Sequence, residues 1–328
     1  MPSGSKLPSI SLLWVTDPWS TLTHLQDTTL RLAVEAAKLG LESYWSATDL
    51  IFKAESNHLK VIRVTPDFAS QPEAKIMQDT VDLPASKFHQ IHYRVDPPVD
   101  FNYTSNIEKL LVKGVAEAQI LNPIRIITEQ SEKIPPADLS HLAPRLQVVH
   151  SESEARTAYT LLSNDEKFVS KPMNLAQSIG VKKWSVPKSA ESFIEILKAE
   201  TLNWTIPILV EEYLAEIANG EVRMWFAFGK FIAALKKHPK AGDFRVLIDE
   251  GSKVEAYTLS ADEVSIAEEV GRSLVKQGVG MAAIDFISGK ICDYNLTSPG
   301  LLIQLETVHG KNLAKDIIEA LVDHSSEL

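Results

Sequence analysis

One cysteine, Cys292, in 328 residues excludes an intrachain disulfide and a cysteine-built zinc site. No apolar run approaches the ~20 residues a helix needs to cross a bilayer. The opening MPSGSKLPS lacks the apolar core of a signal peptide. The expectation is a cytoplasmic protein with no membrane partner. No basic run is interleaved with aromatics and the formal net charge is −10, so nucleic acid is not an expected partner. Internal repeats and low-complexity segments are absent as well. What is there is 45% hydrophobic and 23% charged, an ordinary globular composition, with enough chain for a large core or two to three domains.

The most informative stretch is residues 280–304, GMAAIDFISGKICDYNLTSPGLLIQ. It reads as two strands joined by a tight turn at Ser288-Gly289. Side chains alternate faces along a strand, so Asp293 and Asn295 point the same way. An antiparallel return brings Asp285 beside them. Three hard oxygen ligands on one surface suit Mg²⁺ when phosphates and waters complete its shell. Taken alone, a D-x-N is more often the solvent face of an edge strand. Cys292 alternates to the opposite face and reads as a buried core residue without a nearby base to make it a nucleophile.

Upstream, residues 10–16 are a short apolar strand ended by Asp17-Pro18. Residues 27–39 read as a helix capped by Asp27 or Thr28 and closed by Gly40. Strands follow near residues 43–45, 59–64 and 88–93, an alternation that argues for an open α/β sheet with ligands at its strand ends. Arg94 enters the proline-broken loop RVDPPVD, placed either to grip a carboxylate or to pair at the surface with Asp96 or Asp100. Residues 106–119 read as a helix, 124–127 as a strand, 145–150 as a strand, and Ser151 as the cap of a helix to Leu162. Residues 168–172 form a strand ending in Lys171. The loop 174–178 leads to a strand at 179–183, a layout that suits a flap over phosphates, although it has no glycine before Gly180. Helix is expected at 189–197, strand at 207–214 and strand at 223–228, with Glu221 and Arg223 on one face. The run Lys236-Lys237-His238-Pro239-Lys240 and then Arg245 could converge on an anionic ligand, but as an isolated run reads as a solvated loop. Residues 260–277 make a helix with a Ser260/Glu263 capping box, and an amphipathic helix at 311–323 closes the chain.

Together these stretches resemble the bacterial-type glutathione synthetase family of ATP-grasp ligases, in order and spacing, over nearly the whole chain. Asp17-Pro18 is similar to the family's MDP opening. RVDPPVD (94–100) resembles R-K-D-P-P-F-D, and GEVR (220–223) resembles G-D-K-R. EEYL (211–214) resembles the strand whose backbone meets adenine. D-x7-D-x-N-x-T-S-P from Asp285 to Pro299 resembles D-x7-E-x-N-x-T-S-P at identical spacing. The resemblance implies an α/β (α+β) architecture: a Rossmann-like N-terminal domain (1–122), then an ATP-grasp domain (123–328) with a lid at about residues 140–205.

It also implies roles and cofactors. Lys133 and Lys171 would hold ATP phosphates. Glu211, Glu212, Tyr213 and Leu214 would line the adenine site, and Glu221 would meet the ribose. Arg223 and Arg245 would serve the chemistry. Asp285, Asp293 and Asn295 would bind Mg²⁺. Arg94, Lys237, Arg245 and Ser298 would hold the acyl substrate. The implied activity joins γ-glutamylcysteine to glycine through an acyl phosphate, in glutathione biosynthesis. The alternatives are a related ligase with another acid and amine, or a silent nucleotide-binding protein. The implied partners are a peptide carboxylate and an amino acid, and the implied state is a homo-oligomer. The sequence departs from the pattern at MNLAQS, where the family's flap is glycine-rich, and at Asp293, where the family has glutamate. It departs again at Lys237, where the family has arginine, and at Arg245-Val246-Leu247, where the family has R-G-N.

Overall fold

The computed structural model describes residues 10–176, 178–248 and 251–325. The MPSGSKLPS segment and Gln177 of the expected flap lie outside the described residues. Among the described residues there are three sheets. The first has order β4-β3-β2-β1-β5-β6. It is built from β1 (Ser11–Thr16), α1 (Thr28–Lys38), β2 (Glu42–Ala47), β3 (His58–Arg63), the single turn α2 (Glu73–Ile76), β4 (Thr80–Pro84), β5 (Gln90–Tyr93), α3 (Phe101–Val112) and β6 (Ile120–Leu121). β1, β2, β5 and β6 run parallel; β3 pairs antiparallel with both β2 and β4, so β3 alone is reversed. Every residue of β1 is buried, as expected of a central parallel strand covered on both faces. Asp27 caps α1 by accepting from Leu30 N at 2.8 Å.

After α4 (Ile124–Glu129), the second sheet has order β7-β10-β8-β9. It contains β7 (Leu146–Val149), α5 (Glu152–Leu162), β8 (Lys167–Pro172), β9 (Lys182–Ser185), α6 (Ala190–Glu200) and β10 (Ile208–Glu212), with both helices packed on one face. The third sheet has order β13-β12-β11-β14-β15 and is antiparallel throughout. Its strands are β11 (Glu221–Ala227), β12 (Lys230–His238), β13 (Lys253–Tyr257), β14 (Met281–Ile287) and β15 (Lys290–Asn295), with α7 (Ala261–Gln277), α8 (Leu302–His309) and α9 (Leu313–Ser325) around them. The Ser260/Glu263 capping box opens α7, and Gly278, at φ 74°, closes it. Among the described residues no helix is long and apolar enough to cross a membrane.

The period-two rule then sets the third sheet's faces. Val222, Met224 and Phe226 of β11 and Ala282, Ile284 and Phe286 of β14 pack toward α7. Trp225, Ala227, Leu235 and Ala283 face the other way, into a core shared with Leu12, Trp14 and Trp45 of the first sheet and with α1, α8 and α9. By the same parity Glu221, Arg223, Lys237 and Asp285 lie on that second face, beyond the edge of the shared core.

Several expectations are corrected. Residues 124–127 are helix: Pro123 sits just before the first turn, and four residues, Ile-Arg-Ile-Ile, are too few for periodicity to tell strand from helix. The helix expected at 106–119 begins at Phe101, because the Asp100 carboxylate accepts from Tyr103 N. It ends at Val112, where Gly114 adopts φ 86°. The strand after the flap starts at Lys182, not 179. Residues 236–238 are the end of β12, not a solvated loop, because Lys237 has a carboxylate directly across on β11. Residues 302–304 belong to α8 rather than to the second strand of the hairpin. Strands β4, β6, β12 and β13 have no counterpart among the strands expected from the sequence.

His92, on β5, is fully buried and stacked on Trp14 at 4.3 Å. Its Nε2 lies 3.0 Å from Gln90 Oε1, and Nδ1 has no hydrogen-bond partner among the described residues. Burial, helped by Arg94, pushes the imidazole pKa from 6.5 down to about 3. The folded protein keeps His92 neutral while the unfolded chain takes up a proton. That stability is present above the unfolded value and is lost as pH falls toward the folded one. His92→Gln is therefore expected to flatten the dependence of stability on pH between about 4 and 6, by about 1 kcal/mol per pH unit. Urea midpoints across that range measure it, and an unchanged slope would contradict it.

Candidate active site

Three cross-strand pairings build the ionic face. Glu221 lies opposite Lys237, Arg223 opposite Asp285, and Asp285 opposite Asp293. Arg223 grips Asp285 bidentately, Nε to Oδ1 at 2.8 Å and Nη2 to Oδ2 at 2.7 Å. Lys237 Nζ lies 3.0 Å from Asp285 Oδ2 and also contacts Glu221 Oε1. Burial disfavours the Asp285 carboxylate, but Arg223 and Lys237 outweigh it and hold its pKa well below the usual range. Burial likewise raises Glu221, against the pull of Lys237. Gly220, at φ 99°, lets this corner close: a Cβ there would sit 2.9 Å from Lys237 O.

A bulge shapes the edge strand β15. The β14–β15 register slips between Asp285 and Phe286, leaving Cys292 as an extra residue. Cys292 is buried, as expected, but it does not alternate away. Its Sγ lies 3.7 Å from Glu221 Oε2 and donates to Asp285 O at 3.3 Å. Burial pushes its thiol far up, so it stays protonated and is no nucleophile.

The second sheet meets this face through Lys171, at the end of β8. Its Nζ lies 2.6 Å from Glu211 Oε1 and donates to Cys292 O at 3.1 Å. Lys133, in the connection after α4, brings Nζ to 3.8 Å from Asp293 Oδ1. Lys133, Lys171, Arg223 and Lys237 thus face Glu211, Glu221, Asp285 and Asp293 in one cleft between two sheets. Asn295 Nδ2 donates to Ala283 O at 2.9 Å, which leaves its Oδ1 as an acceptor.

The remaining candidates are placed less centrally. Glu212 turns away to Arg145, accepting from its Nε at 2.9 Å. Tyr213 carries the Lys183 ammonium 4.8 Å from its ring, and Leu214 directly precedes the 3-10 turn Ala215–Asn219. Ser298 Oγ donates to Asp96 Oδ1 at 2.5 Å. Arg94 is no surface residue: it is buried, donates to Thr29 Oγ1 and Pro299 O, and so ties α1 to the TSP loop. Burial lowers its pKa to about 10. Arg245 pairs with Asp243 through Nε at 3.2 Å and Nη2 at 2.9 Å.

Glu132 was missed. Its half-buried carboxylate accepts from Leu296 N at 2.6 Å, Thr297 N at 2.7 Å and Thr297 Oγ1 at 3.0 Å. It thereby fixes the backbone just beyond Asn295 while holding its neighbour Lys133 over Asp293. The only signal in the sequence was a carboxylate beside an already suspected lysine. Glu132→Ala is expected to cost about 2–3 kcal/mol of stability, and Glu132→Gln, which keeps one acceptor oxygen, about half of that. Denaturant titration measures both; equal costs would contradict the account.

Two family models match the chain, the N-terminal domain of prokaryotic glutathione synthetase over residues 10–127 and its ATP-grasp domain over residues 132–310. The glutathione synthetase of Parasynechococcus marenigrum (strain WH8102) is 28% identical over 315 residues, 94% of this chain and 98% of the relative. That of Prochlorococcus marinus (strain MIT 9313) is 26% identical over 310 residues, again 94% of this chain and 98% of the relative. Among solved structures, the D-cycloserine synthetase DcsG superposes with a TM-score of 0.67 at 14% identity, over 96% of this chain and 100% of that one. The ATP-grasp ligase PsnB superposes with a TM-score of 0.60 at 17% identity, over 96% and 99%.

ATP-grasp ligases use a magnesium nucleotide, and the donor chemistry tests whether the cleft fits one. Nucleotide-borne Mg²⁺ needs one or two protein oxygens, since phosphates and waters supply the others. Asp293, with its side chain 30% exposed, and Asn295 Oδ1 meet that need. Asp285 does not offer an open oxygen, since Arg223 and Lys237 hold both. Matched in both domains and in their order, the chain belongs to the prokaryotic glutathione synthetase family, with an ATP-grasp fold.

Proposed function

We propose that this chain is an ATP-dependent carboxylate–amine ligase, most simply one that joins γ-glutamylcysteine to glycine. The observation that carries the reading is the meeting of Lys133 and Lys171 with Arg223, Asp293 and Asn295 across two sheets. The units in this reading are an N-terminal domain at 1–122 and an ATP-grasp domain at 123–328, with a lid at about residues 140–205. Lys133 and Lys171 hold the ATP phosphates by exchanging their carboxylate partners for phosphate oxygens. The backbone at residues 212–214 takes adenine, and Glu221 faces the ribose. Asp293 and Asn295 hold Mg²⁺, which supplies charge neutralisation at the phosphates.

A carboxylate oxygen of the acid attacks the γ-phosphorus as the bond to ADP breaks. Arg223 and the lysines steady the charge that spreads over the transferring group. The amine then attacks the acyl carbon, phosphate leaves with the bonding pair, and the amine gives up its proton. A closed lid keeps water from the acyl phosphate. No enzyme nucleophile takes part.

A second reading, a ligase for another acid and amine, is favoured by the partners of the substrate-end cations. Arg94, Lys237 and Arg245 each already hold protein acceptors. An acid with fewer carboxylates would ask less of them. In both readings the partners are small molecules, and family resemblance favours a cytoplasmic homo-oligomer.

The test is ADP release with Mg²⁺, ATP, γ-glutamylcysteine and glycine, each omitted in turn. Release that needs every component supports the glutathione reading. Release only with another acid–amine pair supports the second. Nucleotide binding without amine-dependent release from any pair would sink both and leave a silent binder.

A further inference from the structure

We infer that Lys237 is a built-in cation at the Asp285 end of the cleft, so that bound nucleotide brings a single divalent ion, held at Asp293 and Asn295. The inference rests on the reading of this cleft as a magnesium-nucleotide site.

The geometry behind it is a closed charge balance. Arg223 and Lys237 face Glu221 and Asp285 in a pocket where the Asp285 and Lys237 side chains are 3% and 5% exposed. Both Asp285 oxygens already receive Arg223, and Oδ2 receives Lys237 as well. Glu221 has Lys237 as its only cation within salt-bridge distance among the described residues. A divalent ion at Asp285 would have to push the ammonium out. That would strand a buried lysine and take from Glu221 its counter-charge. A lysine ammonium is a compact point charge on a flexible stem, the side chain best suited to stand where a small cation would. Asp293 is in the opposite condition. Its side chain is 30% exposed, and its one cation within salt-bridge distance among the described residues, Lys133, stands 3.8 Å away. Asn295 Nδ2 is taken by Ala283 O, so the amide oxygen remains for a metal. Among the described residues no group of three or more His, Cys, Asp and Glu forms a ready cage, which fits an ion carried in on phosphates.

The test counts bound Mn²⁺ by electron paramagnetic resonance in the full chain saturated with a non-hydrolysable ATP analogue, with nucleotide binding measured in parallel by calorimetry. The wild type is expected to hold one Mn²⁺ per bound nucleotide. Lys237→Met, which removes the ammonium, is expected to hold two, and Lys237→Arg, which keeps the charge, one. Two Mn²⁺ in the wild type would overturn the inference, and that result stands even if Lys237→Met fails to fold. One Mn²⁺ in a folded Lys237→Met would overturn it too. No nucleotide binding by the wild type would overturn the functional reading and the inference with it, and calorimetry reports that outcome separately.

Discussion

Arg223→Met is expected to lower turnover by about 10²–10³-fold and stability by about 3–5 kcal/mol. The two losses have different origins. Stability falls because Asp285 is buried and loses its bidentate partner, which leaves Lys237 to serve both Asp285 and Glu221. In the mechanism we propose, turnover falls because the guanidinium would no longer meet the transferring phosphoryl group. A second variant separates them. Arg223→Met with Asp285→Leu removes both members of the pair, and apolar replacement of a whole buried pair is often neutral. The double variant is expected to regain most of the stability and none of the turnover. Denaturant midpoints and kcat give the answer. A stable Arg223→Met single variant would contradict the burial argument, and full turnover in the double variant would contradict the role of Arg223.

Asp293→Ala is expected to behave in the opposite way. Its side chain is part-exposed, its ion pair with Lys133 is long, and it lies directly across from Asp285. Removing it relieves a like-charge cross-strand pair, so stability should hold or rise by a few tenths of a kcal/mol. The Mg²⁺ concentration for half-maximal turnover should rise roughly 10–100-fold, the scale on which weakened metal shells are felt. An Mg²⁺ titration of ADP release measures this. Unchanged Mg²⁺ dependence would remove Asp293 from the metal site.

Much of the fold was legible where local chemistry decides the outcome. Asp27, Ser151 and Ser260 each have a side-chain oxygen that can meet an orphan N–H, and each caps the helix that follows. The Ser288-Gly289 turn fixed the β14–β15 hairpin and set Asp285 beside Asp293. Period two put Glu221 and Arg223 on one face.

What was not legible depends on partners distant in the chain. Lys237 looks like part of a solvated basic run until β11 supplies Glu221 across from it. Arg94 is fixed by Thr29 and Pro299, 65 and 205 residues away. The bulge that turns Cys292 toward Glu221 comes from a register slip, which strict alternation cannot anticipate. Residues 124–127 were too short a run for periodicity to speak. The substrate end remained least legible for a related reason. The sequence names its cations but not the acceptors, Asp243 among them, that already hold them.

The central claim is that a carboxylate oxygen attacks the γ-phosphorus of ATP in this cleft. The most direct test supplies γ-glutamylcysteine labelled with ¹⁸O in its glycine-accepting carboxylate, with ATP, Mg²⁺ and glycine, and weighs the phosphate released. One ¹⁸O in each phosphate is the predicted result, because the attacking oxygen leaves with the phosphoryl group when the amide forms. Unlabelled phosphate alongside ADP would mean that water attacks instead, and would contradict the account.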